Sequence, residues 1–263
     1  MTGHLITVLG QRLEYRWIGG LAPHAPPLVF LHEGLGSVSL WRDFPDRLVE
    51  ATGCPALVYS RRGLGASEPL TPPYRRPSNY LHVEALEVLP RVLDHFGIHR
   101  PILFGHSDGA TIALIHAGGA GRPVAAAIVE APHVIVEPET LTAIRATVEA
   151  WHTTDLPRKL ARHHHHPEGT FLGWAEAWLH PEFHDLDVRN LLPGISCPVL
   201  VIHGEDDEYG TLAQVDTVVG RTSGPVDSLI LPQCGHSPHR DRPTAVLDAT
   251  LTFLDRHLPR HAD

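Results

Sequence analysis

Pro101-Ile102-Leu103-Phe104-Gly105-His106-Ser107-Asp108-Gly109 is the stretch on which the fold of this chain turns. An apolar run, a Gly-x-Ser-x-Gly pentapeptide and the helix-like run Ala110 to Ala117 follow one another, which reads as strand, sharp turn and helix. A serine on such a turn is pushed into a strained backbone conformation and stands above the carboxyl end of a sheet. Glycine flanks it because side chains there would collide. Ser107 is the candidate nucleophile. An ordinary Gly-rich turn has the same local pattern, so the flanking sequence has to decide.

Outward from this stretch, short β-rich runs recur at Leu28 to Leu31, Ala56 to Tyr59, Ile102 to Phe104, Ala125 to Val129, Val199 to Ile202 and Ser228 to Leu231. They alternate with helix candidates at Leu40 to Ala51, Tyr80 to Phe96, Thr111 to Ala117, Thr211 to Val219 and Thr244 to His257. Strands apolar throughout are buried on both faces, so the alternation predicts an α/β fold with a mostly parallel sheet covered by helices. Residues 4 to 18 mix polar and apolar positions and read as an antiparallel hairpin. The alternation lapses between His133 and Pro193, where Leu141 to Thr153, Leu156 to His163 and Phe171 to Leu179 are helical pieces. This predicts a core of residues 1–132 and 194–263 with a helical cap inserted at 133–193. Three of the five tryptophans, Trp151, Trp174 and Trp178, fall in that insertion and are candidate walls of an apolar pocket, although packing of the cap onto the sheet would use them equally well.

A length of 263 residues with 43% hydrophobic content suffices for one large domain with a full core. Cys54, Cys197 and Cys234 have no metal or redox spacing, and no disulfide framework is expected. Met1 to Gly20 lacks the apolar core of a signal peptide and no apolar run has the length of a membrane span, so a cytoplasmic setting without membrane contact is the expectation. The formal charge of −9, without a basic segment, argues against nucleic acid. A small organic molecule is the expected partner; no cofactor or metal is expected, and oligomeric state is left open.

Two later strands run into chemistry-bearing loops, Val199 to Ile202 into His203-Gly204-Glu205-Asp206-Asp207, and Ser228 to Leu231 into Pro232-Gln233-Cys234-Gly235-His236. In an open α/β sheet these ends share one rim with Ser107. A serine hydroxyl needs a neighbouring base, and imidazole suits that task near neutral pH. His236 is the candidate base, and Asp207 the candidate carboxylate that orients it, with Asp206 and Glu205 as adjacent rivals. Charge developing on an attacked carbonyl oxygen needs preorganised donors. The Asp108 N–H, at the positive end of the helix after the elbow, is one candidate. The loop His32-Glu33-Gly34-Leu35-Gly36-Ser37 offers the other, Gly34 first and Leu35 as the alternative.

Together the loop at 32 to 37, Arg62-Gly63-Leu64-Gly65-Ala66-Ser67, the elbow at 105 to 109, Gly204-Glu205-Asp206-Asp207 and Gly235-His236 resemble the α/β-hydrolase superfamily with a helical cap, over essentially the whole chain. The resemblance implies the chain order Ser, Asp, His and favours Asp207, three residues after the glycine that ends its strand. Serine at the elbow separates the chain from epoxide hydrolases and haloalkane dehalogenases. It departs from many relatives at Glu33, where they have glycine, and at Ser60, where they have aspartate; both positions are expected near the pocket mouth. Glu33 could tune substrate charge or hydrogen-bond within its loop. The implied activity is a serine hydrolase cleaving an ester, lactone or related acyl bond. The alternatives are a C–C bond hydrolase of a dienoic ketoacid, whose usual tryptophan after the histidine is replaced here by Ser237, and a non-catalytic binding protein on the same fold. His133 and, close to His236 in sequence, His239 are further pocket candidates, although packed or surface histidines are the commoner outcome, and His163-His164-His165-His166 reads as an exposed cap loop with incidental metal affinity.

Overall fold

The computed structural model describes residues 3–20 and 25–258. Eight strands form one sheet: β1 (His4–Val8), β2 (Gln11–Ile18), β3 (Leu28–Leu31), β4 (Ala56–Tyr59), β5 (Ile102–His106), β6 (Ala126–Glu130), β7 (Val199–Gly204) and β8 (Val226–Leu231). Their order is β1-β2-β4-β3-β5-β6-β7-β8, antiparallel at β1/β2 and β2/β4 and parallel elsewhere. β1 and β2 join through Leu9-Gly10, both at positive φ, the two-residue turn whose twist matches that of the strands.

Strand residues alternate between two cores, as the period of two requires. Leu28, Phe30, Val58 and Phe104 face α1 (Phe44–Thr52) and the helix that follows the last strand. Val29, Leu31, Tyr59 and Leu103 face the other layer. That second layer holds α2 (Tyr80–Val83), α3 (Leu89–His95) and α4 (Asp108–Gly119). Residues 108 to 116 of α4 are all buried, as befits a helix apolar on every side and wedged between sheet and neighbouring helices. The single helix expected over Tyr80 to Phe96 is instead broken into three pieces, with a π-helical turn at Glu84–Val88. Pro90 explains it: the ring cannot donate to Leu86 and crowds its carbonyl, and a widened turn relieves both. Likewise the helix expected from Leu40 starts only at Phe44, after a 3₁₀ turn that ends at Arg42 with φ 54°.

Between β6 and β7 the chain forms α5 (Pro138–Thr153), α6 (Leu156–Leu160) and α7 (Pro167–Leu179), then short 3₁₀ turns. An antiparallel bridge between Ile135 and Asp187 ties the two ends of this helical segment together. After β7 comes α8 (Leu212–Arg221), and after β8 come α9 (Pro238–Asp241) and α10 (Pro243–His257). Among the described residues no helix is long and apolar enough to cross a membrane. The chain leaves β3 toward β4 on one side and returns to β5 on the other. The crevice at the carboxyl ends of β3 and β5 is therefore a topological switch point, flanked by the 32–37 loop and Ser107.

The histidine run is not the exposed loop expected. His164 is 3% exposed: its Nδ1 accepts the Gly65 N–H at 2.9 Å and its Nε2 donates to the Leu35 carbonyl at 3.0 Å. His163 bonds Ser39 Oγ at 2.9 Å, while His165 and His166 are exposed. Two backbone groups that need partners inside the protein explain the burial of an imidazole there.

Candidate active site

The elbow is as tight as its glycines imply. Ser107 sits at φ 53°, ψ −116°, and a Cβ on Gly109 would collide with the Leu31 carbonyl, one on Gly105 with that of Gly109. Close approach of the elbow to β3 thus raises Ser107 above the sheet while α4 starts at the next residue.

Three of the sequence-derived candidates form one hydrogen-bonded chain. Ser107 Oγ lies 2.9 Å from His236 Nε2, and His236 Nδ1 lies 2.9 Å from both Asp207 oxygens. The rivals Glu205 and Asp206 are exposed on the same loop. Asp207 Oδ1 also accepts the Tyr209 N–H at 2.8 Å. Burial pushes the Asp207 carboxyl up, but the hydrogen bond and charge of His236, with the Tyr209 N–H, outweigh it and hold the group down to about 2. An ionised carboxylate on Nδ1 leaves Nε2 to accept the Ser107 proton.

On the other side of Ser107, Gly36 N–H closes a turn on the Glu33 carbonyl at 3.0 Å. Among the described residues no acceptor takes the N–H of Gly34, Leu35 or Asp108. Gly34 faces the elbow: a Cβ there would lie 3.4 Å from Asp108 Oδ1 and would run into the Trp174 indole. Arg61 Nη2 donates to the Glu33 carbonyl at 2.8 Å and to Asp108 Oδ2 at 3.3 Å, bracing loop and elbow together.

A cavity of about 240 Å³ opens over this chain. Ser107, His236, Glu33, Gly34, Leu35, Asp108, His133, Trp174 and Trp178 all line it, as do Thr140, Ile144, Glu208, Tyr209 and Arg240, which sequence reasoning did not single out. Trp151 does not; it stacks on Phe171 at 4.2 Å with nearly parallel rings, packing α5 on α7. Ser60 is also absent from the lining, being buried with its hydroxyl between Glu14 Oε2 and the Val38 N–H. The His236 ring is flanked by Tyr209 at 4.6 Å and His133 at 5.6 Å. Burial, then the His236 charge, drives His133 down to about 3, so this ring is a neutral wall.

Asp108 matters through its side chain as well. Its carboxylate accepts from Tyr80 Oη at 2.6 Å, Trp178 Nε1 at 3.2 Å and Arg61, fixing α7 over the elbow. Only the distance of these residues in sequence hid this. His239, by contrast, is buried away from the cavity with Nδ1 2.6 Å from Glu130 Oε2.

Known proteins bear on this arrangement. A family model described as the alpha/beta hydrolase family matches residues 28–249. Among curated relatives, protein phosphatase methylesterase 1 of Bos taurus is 38% identical over 66 residues, 24% of this chain and 16% of that protein. A proline iminopeptidase of Levilactobacillus brevis is 34% identical over 102 residues, 39% of this chain and 33% of that protein. The matches thus span a third or less of these two relatives. Among solved structures, the enol-lactonase from Burkholderia xenovorans LB400 superposes with a TM-score of 0.74 at 22% identity, covering 95% of this chain and 99% of that one. A thermophilic esterase from Thermogutta terrifontis gives 0.74 at 18% identity, covering 98% and 100%. At such identities the likeness is one of fold.

Proposed function

Because the chain belongs to the alpha/beta hydrolase family, we propose that it is a serine hydrolase that cleaves an ester, lactone or related acyl bond of a small organic molecule through an acyl-enzyme. The single observation that carries this is the unbroken hydrogen-bond chain from Ser107 through His236 to Asp207 beneath a cavity.

His236 Nε2 takes the Ser107 proton as Oγ bonds to the carbonyl carbon, and the carbonyl electron pair moves onto oxygen. The Asp108 N–H and the N–H of Gly34, with Leu35 as the alternative, stabilise that oxygen. The His236 imidazolium, held by Asp207, returns the proton to the leaving alkoxide as the C–O bond breaks. Water then repeats the sequence, releasing the acid and restoring Ser107. The helical segment between β6 and β7 serves as a cap, with Trp174 and Trp178 excluding bulk water. A cavity of about 240 Å³ is small for a ligand site, which favours a compact acyl group.

Hydrolysis of short-chain chromogenic esters tests this. Wild type is expected to turn over, and Ser107→Ala to lose a factor on the order of 10⁴ or more while remaining folded. An unchanged rate in Ser107→Ala, or bleaching of a vinylogous dienoate without ester hydrolysis, would refute it.

A further inference from the structure

Beside the triad, four ionisable side chains from four elements meet, none given a role in the reaction just described; two of them, Glu33 and His106, also line the cavity. The four are Glu33 after β3, His106 at the end of β5, Glu130 at the end of β6 and His239 in α9. His106 is 1% exposed, Glu130 0% and His239 4%. His106 Nε2 lies 2.6 Å from the His236 carbonyl oxygen, and its Nδ1 lies 3.5 Å from Glu33 Oε2. The His239 ring meets His106 edge to face at 5.0 Å, and Trp41 covers His239 at 4.6 Å.

A carbonyl oxygen only accepts, and an ionised carboxylate only accepts. His106 Nε2 faces such an acceptor at hydrogen-bond distance and Nδ1, with no hydrogen-bond partner of its own, faces the Glu33 carboxylate at ion-pair distance, so a proton on each nitrogen suits both acceptors. We propose that His106 is a positioning residue held as an imidazolium, braced between the Glu33 carboxylate and the His236 main chain, so that one ion pair sets the oxyanion loop and the base loop against Ser107. It rests on the reading of Ser107 and His236 as nucleophile and base. His106 is covalently next to Ser107, hydrogen-bonded to the backbone of His236 and paired with the loop that carries Gly34, so it touches the elbow, the base loop and the oxyanion loop. Charge-assisted contacts are the strong class; the His106 end of this pair is buried, while Glu33 keeps an edge on the cavity.

The surrounding charges agree. His106 faces Glu33, Glu130, His239 and His236. Burial lowers His106, yet pairing with the Glu33 carboxylate, with the charge of Glu130 and the His236 carbonyl, more than offsets this and raises it. Burial raises Glu33, and His106 more than offsets that, holding Glu33 far below the usual carboxylate range. The charge of Glu33, although 21% exposed at the cavity, is thus matched from below rather than left for a substrate cation.

The test is ¹⁵N NMR of the imidazoles in the full chain, with His106 assigned by its loss in His106→Asn, alongside the rate of Ser107 labelling by a neutral fluorophosphonate. The expected result is a doubly protonated His106 in wild type around neutral pH. Glu33→Gln, close in shape, should turn it neutral and slow labelling about 10-fold, since small misplacements of reacting groups are costly. For ester substrates the loss should fall in kcat, with KM little changed. Glu33→Asp, which keeps the charge, should retain the imidazolium and serves if the glutamine variant does not fold. A neutral His106 in wild type would overturn the proposal. So would unimpaired labelling in folded Glu33→Gln, or a Glu33→Gln defect confined to KM for cationic esters. One ring nitrogen each of His106 and His239 and one Glu130 oxygen lie within 4.8 Å of one another. Stoichiometric zinc in the purified protein, lost in Glu130→Gln, would also overturn it, because a metal would then stand where the second proton is assigned. If Ser107 in wild type takes no label at all, the hydrolase reading fails instead, while the His106 spectrum still reports its own state.

Discussion

Replacing His164 with asparagine should remove most of one component of the protein's acid sensitivity. The imidazole is buried in the turn between α6 and α7, accepting from Gly65 N–H and donating to the Leu35 carbonyl, so only the neutral ring satisfies both. Burial lowers it from the ordinary 6.5 to about 4. A histidine depressed in this way binds fewer protons folded than unfolded between those two values. Its contribution is therefore complete above pH 6.5, declines as pH falls toward 4, and changes no further below that. The gap corresponds to about 3 kcal/mol, of which roughly 2.5 kcal/mol is lost between pH 7 and 4.5. The Oδ1 of an asparagine in its place can still accept from Gly65, but that side chain does not titrate and cannot reach Leu35. The variant should lose about 1–3 kcal/mol at neutral pH for the unpaired buried carbonyl. Urea unfolding of both proteins at several pH values gives the double difference, in which the other buried histidines cancel. Stability of wild type should fall more steeply than that of the variant, by about 2–3 kcal/mol over the window. Equal slopes would refute the buried, neutral latch.

Three further outcomes follow from the same geometry. Gly109→Ala should fail to reach the native elbow or lose at least about 4 kcal/mol, since its Cβ meets the Leu31 carbonyl; a melting curve that superposes on wild type would contradict this. Trp178→Phe keeps one aromatic ring but deletes the bond to Asp108 and the pyrrole half of a buried indole, and should cost at least about 1.5–3 kcal/mol in chemical denaturation, a hydrogen bond to a charged group being at stake along with packing. Asp207→Asn should cut turnover by about 10⁴ through the wrong His236 tautomer. Because burial, outweighed by His236, leaves the carboxyl depressed to about 2, wild type draws stability from it above its ordinary value of 3.8 and loses that as pH falls toward 2; the asparagine variant should lack this loss in acid unfolding curves.

The parts of the fold that were legible are those where a local pattern has one physical outcome. Leu28 to Leu31 and Ala56 to Tyr59 are strands over just those residues, because fully apolar runs bounded by turns can only be buried from both sides. Gly105 and Gly109 marked the elbow because sterics admit nothing larger. Proximity of Ser107, Asp207 and His236 followed from strand ends sharing one rim. What stayed hidden depended on side-chain partners distant in sequence. Nothing local to His164 says that Gly65 and Leu35 await it, nor does Asp108 announce Tyr80, Arg61 and Trp178. Trp151 and Trp174 both looked like pocket walls, and only the packing of α5 on α7 sends the first onto Phe171 and the second over Gly34. Glu33 was conspicuous as a departure from the family pattern, but its partner His106 lay inside the motif already assigned to Ser107.

Mapping the site of fluorophosphonate attachment by peptide mass spectrometry, on wild type and on His236→Ala, asks most directly whether these three side chains make an activated alcohol. One adduct, on Ser107, formed readily in wild type and nearly lost in the variant, is the outcome predicted. Adducts elsewhere, or equal labelling of Ser107 in both proteins, would contradict it.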